Sequence, residues 1–537
     1  MKTGKGFPRL TRLMAKGHAA LLLLLPALHG CAGMFSGSLE ITAAQRVHPV
    51  LIRNDHNPLL RLTVEAQGAG HTAGLFLFKL SGTDDLNDIE TLELFYSGDQ
   101  EEFGTGNRFG DPARPAEQVV FTGNQELSPG KNVFWLSVRL RPTAKLGNKT
   151  DAVCTSVNTS AGVLTPTDTT PGVRKRIGLA LRKHMDDGVH TYRIPAIATT
   201  PKGTLLCVYD MRWRKSRDLQ EHIDIGLIRS TDGGQTWEPQ RAIMDMGEWG
   251  GLPQEENGVS DPGILVDENT GEIFVTAVWM WGKPGKHQWR DDGSEPGYEI
   301  GKTAQILMVR STDDGLTWTE PENITRKLKK PEWWLFAPAP NRGITLSDGT
   351  IVMPTQGRDE TGYPFGNITY SRDHGATWTV SNPAFSGGNE TLAVQLGDGS
   401  VMLNMRNDKP EPYRAVFVTW DLGITWIPHE TNRKTLIEPN CNASLFRFDY
   451  EEKGESKYIL LFANPNAPDG RHHHTVKVSF DDGTTWPEDY QILLDEGRGR
   501  GYPGITRIDD QHVGIVYEGS RSDLVFEKLS LDELLKR

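Results

Sequence analysis

The stretch "RSTDGGQTW" at residues 229–237 decides the fold, because four further segments of the chain repeat its pattern. These segments are "RSTDDGLTW" (310–318), "YSRDHGATW" (370–378), "VTWDLGITW" (418–426) and "VSFDDGTTW" (478–486). The five aspartates stand at positions 232, 313, 373, 421 and 481, so successive copies are 81, 60, 48 and 60 residues apart. A repeat of this size in a β-rich chain is typical of a β-propeller, whose blades are four-stranded sheets around an axis.

Each residue type of the repeat has a structural task in a tight turn. An aspartate carboxylate accepts backbone N–H groups across the turn, glycine adopts a positive φ without steric cost, and tryptophan packs between neighbouring blades. The pattern lacks oxygen side chains at the spacing that a calcium-binding loop requires. We therefore interpret each copy as the outer hairpin of one blade. The roughly 360 residues from Gly178 onward, at about 60 residues a blade, predict six blades.

The part of the chain before the repeats is predicted to be a separate β-sandwich over residues 38–172. Segments such as "LLRLTVEA" (59–66) and "VFWLSVRL" (133–140) alternate apolar and polar residues, with turn-rich stretches between them. Short alternating strands at this spacing favour a sandwich. The segment 155–172, rich in Thr, Ser, Pro and Gly, is either a final weak strand or a linker. The predicted fold class is all-β, with this sandwich followed by a six-bladed β-propeller over residues 176–537.

The composition excludes several classes of protein. A formal net charge of −12 argues against a nucleic-acid partner, which usually requires a basic patch. Cys154, Cys207 and Cys441 are scattered without a zinc or disulfide pattern, so they are predicted to be buried free thiols. The run "RHHH" (471–474) does not predict a metal site, because consecutive residues on a strand face opposite sides. No metal and no cofactor are expected.

The first 33 residues have the features of an export signal. A basic start precedes the apolar core "AALLLLLPAL" (19–28), which is too short to span a bilayer as a helix. "LHGC" (28–31) resembles a bacterial lipoprotein cleavage box, in which Cys31 would carry a lipid anchor; simple cleavage near Ala32 is the alternative. No later segment predicts a transmembrane helix. The protein is therefore expected to be exported, as a periplasmic protein, a lipoprotein at the outer membrane or cell surface, or a secreted protein.

The repeats carry a family resemblance. Four copies follow SxDxGxTW and the fourth has Thr419 in place of Ser; this is the Asp box. Together with "YRIP" (192–195), the segment 178–537 resembles the six-bladed catalytic domain of bacterial exo-α-sialidases (neuraminidases). The sandwich resembles, more weakly, the carbohydrate-binding-like accessory domain of sialidases from gut anaerobes. The resemblance implies a retaining glycosidase that acts on sialylated glycans without a metal ion.

The substrate that the resemblance implies explains why arginines matter. The carboxylate of sialic acid is ionised at physiological pH, and arginine supplies permanently charged, bidentate donors for such a group. By resemblance, Arg193 in "YRIP", Arg406 in "LNMRND" and Arg471 in "NPNAPDGR" bind it. Glu518 in "VYEGS" matches the family glutamate that holds the first of these arginines in place. For each arginine taken alone, a surface cation is the alternative reading.

Three further residues are implied to carry the reaction. Tyr502 in "RGYPGIT" matches the family nucleophile, where a neutral phenol avoids the repulsion that a carboxylate would meet beside the anionic sugar. A tyrosine with a pKa near 10 needs a base, and Glu390 in "GGNETLAVQ" matches it. Asp218 in "YDMRWRKSRDLQEH" (209–222) matches the general acid/base on a long loop. Gln395 stands where many relatives carry a second acidic residue.

Other candidates are assigned to the substrate pocket. Arg212 is expected near the carboxylate or O4 of the sugar, and Asp210 is either a subsite carboxylate or the partner of Arg212. Asp261 in "SDPGILVD" resembles the aspartate that lines the N-acetyl or O4 region. Trp279, Trp281 and Gln356 are candidates for the N-acetyl and glycerol pockets, although a propeller tryptophan is also a common blade spacer.

Several functions remain open at this point. The leading one is hydrolysis of terminal α-linked sialic acid from glycoproteins, mucins, glycolipids or oligosaccharides. Trans-sialylation, including its intramolecular form, is the alternative from the same fold. A non-catalytic sialic-acid-binding lectin would have lost Asp218 or Tyr502, and both are present. Phe95, Tyr96 and Trp135 are candidates for glycan binding by the sandwich, with core packing as the competing interpretation.

Overall fold

The computed structural model describes residues 38–219, 221–280, 289 and 293–536. The export signal, the lipid anchor at Cys31 and the pocket role of Trp281 lie outside these residues and stay predictions. Strands dominate the described part, and its helices are short, so the all-β class is confirmed. Among the same residues, none of the helices has the length and apolar character that crossing a membrane requires.

Two sheets form the N-terminal sandwich. The larger sheet contains β1 (Leu39–Ala44), β3 (Asn57–Ala66), β5 (Ile89–Tyr96), β6 (Arg108–Ala113), β8 (Gly130–Leu140) and β12 (Thr167–Asp168), in the order β12-β1-β3-β8-β5-β6. The smaller contains β4 (His71–Lys79), β7 (Gln118–Leu127), β10 (Val153–Thr159) and β11 (Gly162–Leu164), in the order β11-β10-β4-β7. The segment read as a weak strand or linker therefore supplies β11, β12 and most of β10, and a 3₁₀ turn (Leu86–Asp88) precedes β5.

Phenylalanines from both sheets fill the sandwich core. Phe76 of the smaller sheet meets Phe134 of the larger with ring centroids 4.7 Å apart. Phe95 and Trp135, considered for glycan binding, are 2% and 3% exposed. Core packing is the correct interpretation for these two residues, because such buried rings cannot present a surface to a sugar.

In the described part of the chain, six sheets, each built on four antiparallel strands, form the blades of the propeller, which confirms the predicted number. The first three blades contain β14 (Thr191–Thr199), β15 (Leu205–Arg212), β16 (Ile223–Ser230) and β17 (Arg241–Met244); β18 (Val259–Val266), β19 (Ile273–Trp279), β20 (Gln305–Ser311) and β21 (Glu322–Asn323); and β22 (Leu335–Pro338), β25 (Ile351–Arg358), β26 (Pro364–Ser371) and β27 (Thr379–Val380). The short strands β23 (Asn341–Arg342), β24 (Ile344–Thr345) and β28 (Phe385–Ser386) add to the second and third blades.

The remaining blades continue this pattern. They contain β29 (Gly388–Gln395), β30 (Val401–Asn407), β31 (Ala415–Thr419) and β32 (Ile427–Pro428); β33 (Ser444–Glu452), β34 (Glu455–Pro465), β35 (His474–Ser479) and β36 (Gln491–Asp495); and β37 (Gly501–Asp509), β38 (His512–Glu518), β39 (Leu524–Ser530) and β13 (Lys175–Arg182). Two helices, α1 (Thr325–Leu328) and α2 (Leu531–Leu535), and 3₁₀ turns at Asp186–Gly188, Gln254–Glu256 and Glu488–Tyr490 complete the described elements.

The sixth blade joins distant parts of the chain. Its outer strand β13 pairs antiparallel with β39, with Leu179 opposite Phe526. Two short strands from within the predicted sandwich range, β2 (Val50–Ile52) and β9 (Lys149–Thr150), also pair with β13. One hydrophobic cluster contains residues of both regions, among them Phe76 and Tyr209. The sandwich and the propeller therefore share a sheet and a core.

The Asp-box turns have the predicted hydrogen bonds. In the second copy, Asp313 accepts the backbone N–H and the hydroxyl of Thr317 at 2.8 and 2.6 Å. Ser311 Oγ accepts the N–H of Gly315 at 3.0 Å, and Gly315 has a φ of 75°. The other copies repeat these bonds, and Thr419 replaces the serine in its copy without loss. The turn is thus a structural device, as expected.

The tryptophans of the Asp box reach neighbouring blades. Trp237 of the first blade meets Phe526 of the sixth edge-on, with centroids 5.4 Å apart. Trp378 of the third blade makes the same kind of contact with Phe274 of the second at 5.7 Å. These contacts confirm the predicted packing between blades.

At the end of the propeller opposite the Asp-box turns, the first strand of several blades begins with an irregular segment. The pairing register shifts between Arg193 and Ala196 in β14, and similar shifts occur near the starts of β18, β29 and β37. Ile194, Asp261 and Tyr502 have positive φ values of 54°, 59° and 43°, and a proline follows each. Such bulges re-aim side chains at the rim of a closed sheet. Arg193, Asp261, Glu390 and Tyr502 lie at or beside these bulges.

Candidate active site

Three arginines meet around one tyrosine at the irregular end of the propeller. Arg193 on β14 and Arg471 before β35 lie with Cζ 5.6 and 5.5 Å from the ring centroid of Tyr502. Arg406 at the end of β30 has Nη1 3.2 Å from the Tyr502 hydroxyl. The structure therefore brings together the three arginines that the resemblance singles out, from three different blades.

The three guanidinium groups are held differently. Arg193 Nε donates to Glu518 Oε1 at 2.5 Å, as expected from the resemblance. Arg406 Nη1 donates to Glu390 Oε2 at 2.8 Å. Arg471 donates only to backbone carbonyls, and among the described residues no carboxylate lies within ion-pair distance of it. Its positive charge therefore has no counter-charge at contact distance within the described part of the chain.

Tyr502 and Glu390 form the hydrogen bond that the predicted nucleophile and base require. The Tyr502 hydroxyl donates to Glu390 Oε1. Burial and the negative charge of Glu390 raise the pKa of Tyr502 well above its ordinary value, although Arg406 and Arg471 oppose the shift. The phenol is therefore neutral at rest. Glu390 is the carboxylate in contact with the phenol and accepts its hydrogen bond.

Asp218 lies on the loop after β15, at the same end of the axis. Its Oδ1 is 2.7 Å from Arg212 Nη1 and 3.9 Å from Arg193 Nη1. Its side chain is 46% exposed, in contrast with the buried arginines beside it. The carboxyl group can therefore reach an atom of a bound ligand from the solvent side.

Asp210 and Asp261 are buried next to Arg212, and the backbone N–H of Asp261 donates to Asp210 Oδ1. Asp210 Oδ2 accepts from Arg212 Nη2 at 2.8 Å and from Ser260 Oγ at 2.6 Å, and Asp210 is fully buried. Of the two roles considered for Asp210, it is the partner of Arg212. Burial and the negative charges of Asp210, Glu390 and Asp218 raise the pKa of Asp261 well above its usual range.

Comparison with known proteins decides the family. The BNR repeat-like domain family matches residues 203–516, and the N-terminal domain of BNR-repeat neuraminidases matches residues 38–113 and 108–162. The chain is also 38% identical over 515 residues to a sialidase of Bacteroides fragilis (strain YCH46), covering 91% of this chain and 94% of that protein.

The chain belongs to the BNR-repeat sialidase family. A sialidase of Micromonospora viridifaciens is 33% identical over 344 residues, covering 62% of this chain and 50% of that protein. The solved structure of the Hadza microbial sialidase Hz136 superposes with a TM-score of 0.86 at 39% identity, covering 91% of this chain and 99% of the other. Trypanosoma rangeli sialidase, at 20% identity and a TM-score of 0.55, shares the fold over 67% of this chain and 59% of its own.

Two pocket candidates of this sialidase, Gln356 and Trp279, make hydrogen bonds outside the arginine cluster. Gln356 on β25 is buried, and its amide donates to the carbonyl of Pro338 at 3.1 Å. Trp279 is fully buried, donates to Asn257 Oδ1 at 2.5 Å and meets Trp249 edge-on at 4.7 Å. Trp279 therefore acts as a spacer in the blade core. Among the described residues, Gln356 has no hydrogen bond with the arginine cluster.

Contacts between its two ends hold the loop that carries Asp218 in this sialidase. Trp213 donates to Asp224 Oδ2 at 2.7 Å and stacks on His222 at 5.3 Å. Burial and the neighbouring Asp245 raise the pKa of Asp224 to about 7. These contacts anchor both ends of the loop while Asp218 itself stays accessible.

The remaining sequence features have structural places. His474 is buried on β35, whereas His472 and His473 contact each other outside it, with ring centroids 4.8 Å apart. Cys154, Cys207 and Cys441 are buried free thiols, as predicted.

One residue at the site was not singled out from the sequence. Asn440 has a positive φ of 53°, and its Oδ1 accepts a hydrogen bond from Arg406 Nε. Its backbone carbonyl also accepts from Arg471 Nη2. No local motif marks it, because its partners are 34 and 31 residues away in the sequence.

Proposed function

We propose that the protein is an exo-α-sialidase that hydrolyses terminal α-linked sialic acid from glycoproteins, mucins, glycolipids or oligosaccharides, with retention at the anomeric carbon. The observation that carries this proposal is the ring of Arg193, Arg406 and Arg471 around the Tyr502–Glu390 pair. Relatives named sialidases cover nearly the whole chain, which supports the same assignment.

The arginine cluster is suited to a ligand with one carboxylate. Glu518 and Glu390 already engage Arg193 and Arg406, whereas Arg471 has no counter-ion at contact distance among the residues that the structure describes. The sugar carboxylate supplies the missing negative charge and accepts paired N–H donors from the guanidinium groups. Because the carboxylate is attached to the anomeric carbon of sialic acid, binding it also places that carbon beside Tyr502.

The first chemical step forms a bond between Tyr502 and the sugar. The phenolic oxygen attacks the anomeric carbon while its proton passes to Glu390, and the bond to the leaving oxygen breaks. Asp218 donates a proton to that oxygen, so the aglycone departs as an alcohol. A neutral attacking group avoids repulsion by the substrate carboxylate, the reason that sialidases use tyrosine where most retaining glycosidases use a carboxylate.

The second step releases the sugar. Asp218, now ionised, accepts a proton from water, and the resulting hydroxide equivalent attacks the anomeric carbon from the side that the aglycone left. The bond to Tyr502 breaks, and its oxygen recovers the proton held by Glu390. Two displacements at one carbon give net retention.

Arg212 and the buried aspartates beside it are assigned to the uncharged part of the sugar. Asp261, whose raised pKa favours the neutral acid, can donate as well as accept a hydrogen bond. We assign Asp261 to the N-acetyl or O4 region and Arg212 to the O4 side, with Asp210 fixing Arg212. Gln356 is assigned to the pocket from the resemblance alone.

Proton NMR of a sialyllactose digest tests the proposal. The expected first product is the α-anomer of free sialic acid, which then mutarotates. An anhydro sugar as the product would indicate intramolecular trans-sialylation in place of hydrolysis. Transfer of sialic acid to added lactose rather than to water would indicate a trans-sialidase. Saturable binding of sialyllactose without turnover would identify a lectin and overturn the proposal.

A further inference from the structure

We propose that Asn440 is a positioning residue that holds Arg406 and Arg471 side by side and leaves their charges available to an anion. The inference rests on the proposed function, which assigns both arginines to the sugar carboxylate. Asn440 Oδ1 accepts from Arg406 Nε, and its backbone carbonyl lies 3.4 Å from Arg471 Nη2. A single residue thus contacts two guanidinium groups that come from different blades.

The backbone of Asn440 suits this double contact. Its φ of 53° lies in the left-handed region, which asparagine enters more readily than most other residues. The side chain and the carbonyl therefore serve two different arginines from one position. Asn440 is exposed at the site, so its contacts are not enforced by burial.

A buried ion pair fixes the segment before Asn440. Arg414 Nη1 lies 3.1 Å from Glu438 Oε2, and the two residues are 0% and 2% exposed. The Glu438 carboxylate accepts the N–H of Cys441 at 3.2 Å and that of Asn407 at 2.7 Å. Asn407 directly follows the second arginine of the cluster. One carboxylate therefore anchors both the turn and the strand end that meet at Asn440.

The neutrality of Asn440 is the point of the inference. Arg406 and Arg471 carry like charges that repel each other, so holding them together requires acceptors. A carboxylate here would hold them more strongly, because charge-assisted hydrogen bonds are stronger. It would also cancel part of the positive charge offered to the substrate. Two neutral oxygen acceptors keep the arginines in place without that loss.

Asn440→Asp tests the role of neutrality. Aspartate is nearly isosteric, tolerates the left-handed region and keeps both acceptors, so the fold should be retained. We expect the KM for an aryl α-sialoside and the Ki of a dehydrated sialic-acid analogue to rise together, about tenfold or more, with a smaller change in kcat. Unchanged KM and Ki would overturn the inference, since a purely structural residue would accept this substitution.

A second variant and a control complete the test. Asn440→Gly keeps the backbone conformation and the carbonyl but removes Oδ1, and we expect kcat/KM to fall about tenfold. Asn382→Asp adds the same charge to an exposed asparagine at the Asp-box end, where its amide donates to the carbonyl of Ile424. This control should leave KM and Ki unchanged; an equal effect in it would also contradict the inference.

Failure of the proposed function is distinguishable from failure of this inference. A wild-type protein that does not cleave sialosides overturns the proposed function. Calorimetry with the dehydrated analogue then still compares the anion affinity of the wild type with that of Asn440→Asp. Equal affinities would refute the positioning role, and weaker binding by the variant would support it.

Discussion

Tyr502 and Tyr517 each donate a hydrogen bond to a glutamate, and they lie on adjacent strands of the sixth blade. Tyr502 on β37 is bonded to Glu390 of the fourth blade, whereas Tyr517 on β38 is bonded to Glu527 of the next strand at 2.7 Å. Burial and the neighbouring glutamate raise the pKa of both tyrosines well above the ordinary value. The two pairs are chemically alike, so the difference between them must come from their surroundings.

The surroundings differ in access and in unbalanced charge. Glu527 is fully buried and lies 3.2 Å from Arg176, which Glu533 also engages at 2.5 Å. The carboxylate bonded to Tyr517 thus has an arginine partner on β13 of the same blade. Tyr502 instead faces the axis beside three arginines, one of which has no carboxylate partner among the described residues. A buried Tyr–Glu pair is therefore not itself a sign of chemistry; an uncompensated cation beside it is.

The largest expected effect separates the two tyrosines. Tyr502→Phe should reduce kcat on an aryl α-sialoside by about a thousandfold or more, because it removes the attacking oxygen and keeps the ring. Tyr517→Phe is the matched control and should keep kcat within about twofold, since only a structural hydrogen bond is lost. Steady-state kinetics with thermal unfolding of both variants checks this, and equal activity of the two would remove Tyr502 from the mechanism.

The arginines give the next contrast. Arg471→Gln should raise KM by about 10- to 100-fold with little change in stability, because the lost charge serves only the ligand. Arg176→Gln should leave KM unchanged and lower the free energy of unfolding by about 3 kcal/mol, because the buried Glu527 loses its cation and Glu533 keeps only Lys149. Kinetics and denaturant unfolding measure the two effects. Loss of stability in both variants would contradict the distinction.

The buried carboxyl group of Glu527 is expected to make the stability of the protein depend on pH. Burial raises the pKa of Glu527 to about 7, from about 4.3 in an unfolded chain. Between these values the folded protein keeps the proton that the unfolded chain releases, so stability falls as pH rises through this window and is constant above it. Glu527→Gln should remove this contribution. The melting temperature of the wild type relative to the variant should drop by about 2 °C between pH 5 and 8; a rise would refute the assignment.

The smallest effect is expected from a substitution in the first Asp-box turn, which is exposed. Asp232→Ala removes the acceptor of Ser230 Oγ at 2.9 Å and of the Thr236 hydroxyl at 2.6 Å. We expect a loss of about 1 kcal/mol in the free energy of unfolding, and unchanged kcat and KM, because the Asp box has no chemical role. Altered kinetics in this variant would mean that the two ends of the propeller are coupled.

Five of the six blades could be recognised in the sequence because each contains an Asp-box turn, which is stabilised by local hydrogen bonds. Ser311, Asp313 and Thr317 bond within one turn, so a short pattern carries the whole signal. The arginines were identified through motifs shared with a family, and the structure brings them together. Their convergence itself is a property of the ring, which brings Arg193 and Arg406 together from 213 residues apart.

The features that could not be predicted from the sequence depend on contacts between residues far apart in the chain. β2 has only three residues, too few for a periodic pattern, and it pairs with β13, which lies more than 100 residues later in the chain. Asn440 shows its role only where two blades meet. Gln356, a polar residue in an apolar strand, bonds to a neighbouring backbone carbonyl rather than to the arginine cluster. Residue type alone could not separate these cases.

Pairing of β13 with β39 governs the order in which this protein can mature. On the ribosome, residues 175–182 emerge about 340 residues before their partner strand, so the ring cannot shut until synthesis has passed Ser530. Closing so long a loop is slow, and the early strands wait with an open edge. Tyr502 and Glu518 both belong to this last-made segment. A nascent chain therefore holds its first arginine without the glutamate that orients it, and enzyme competence arrives only with the final blade.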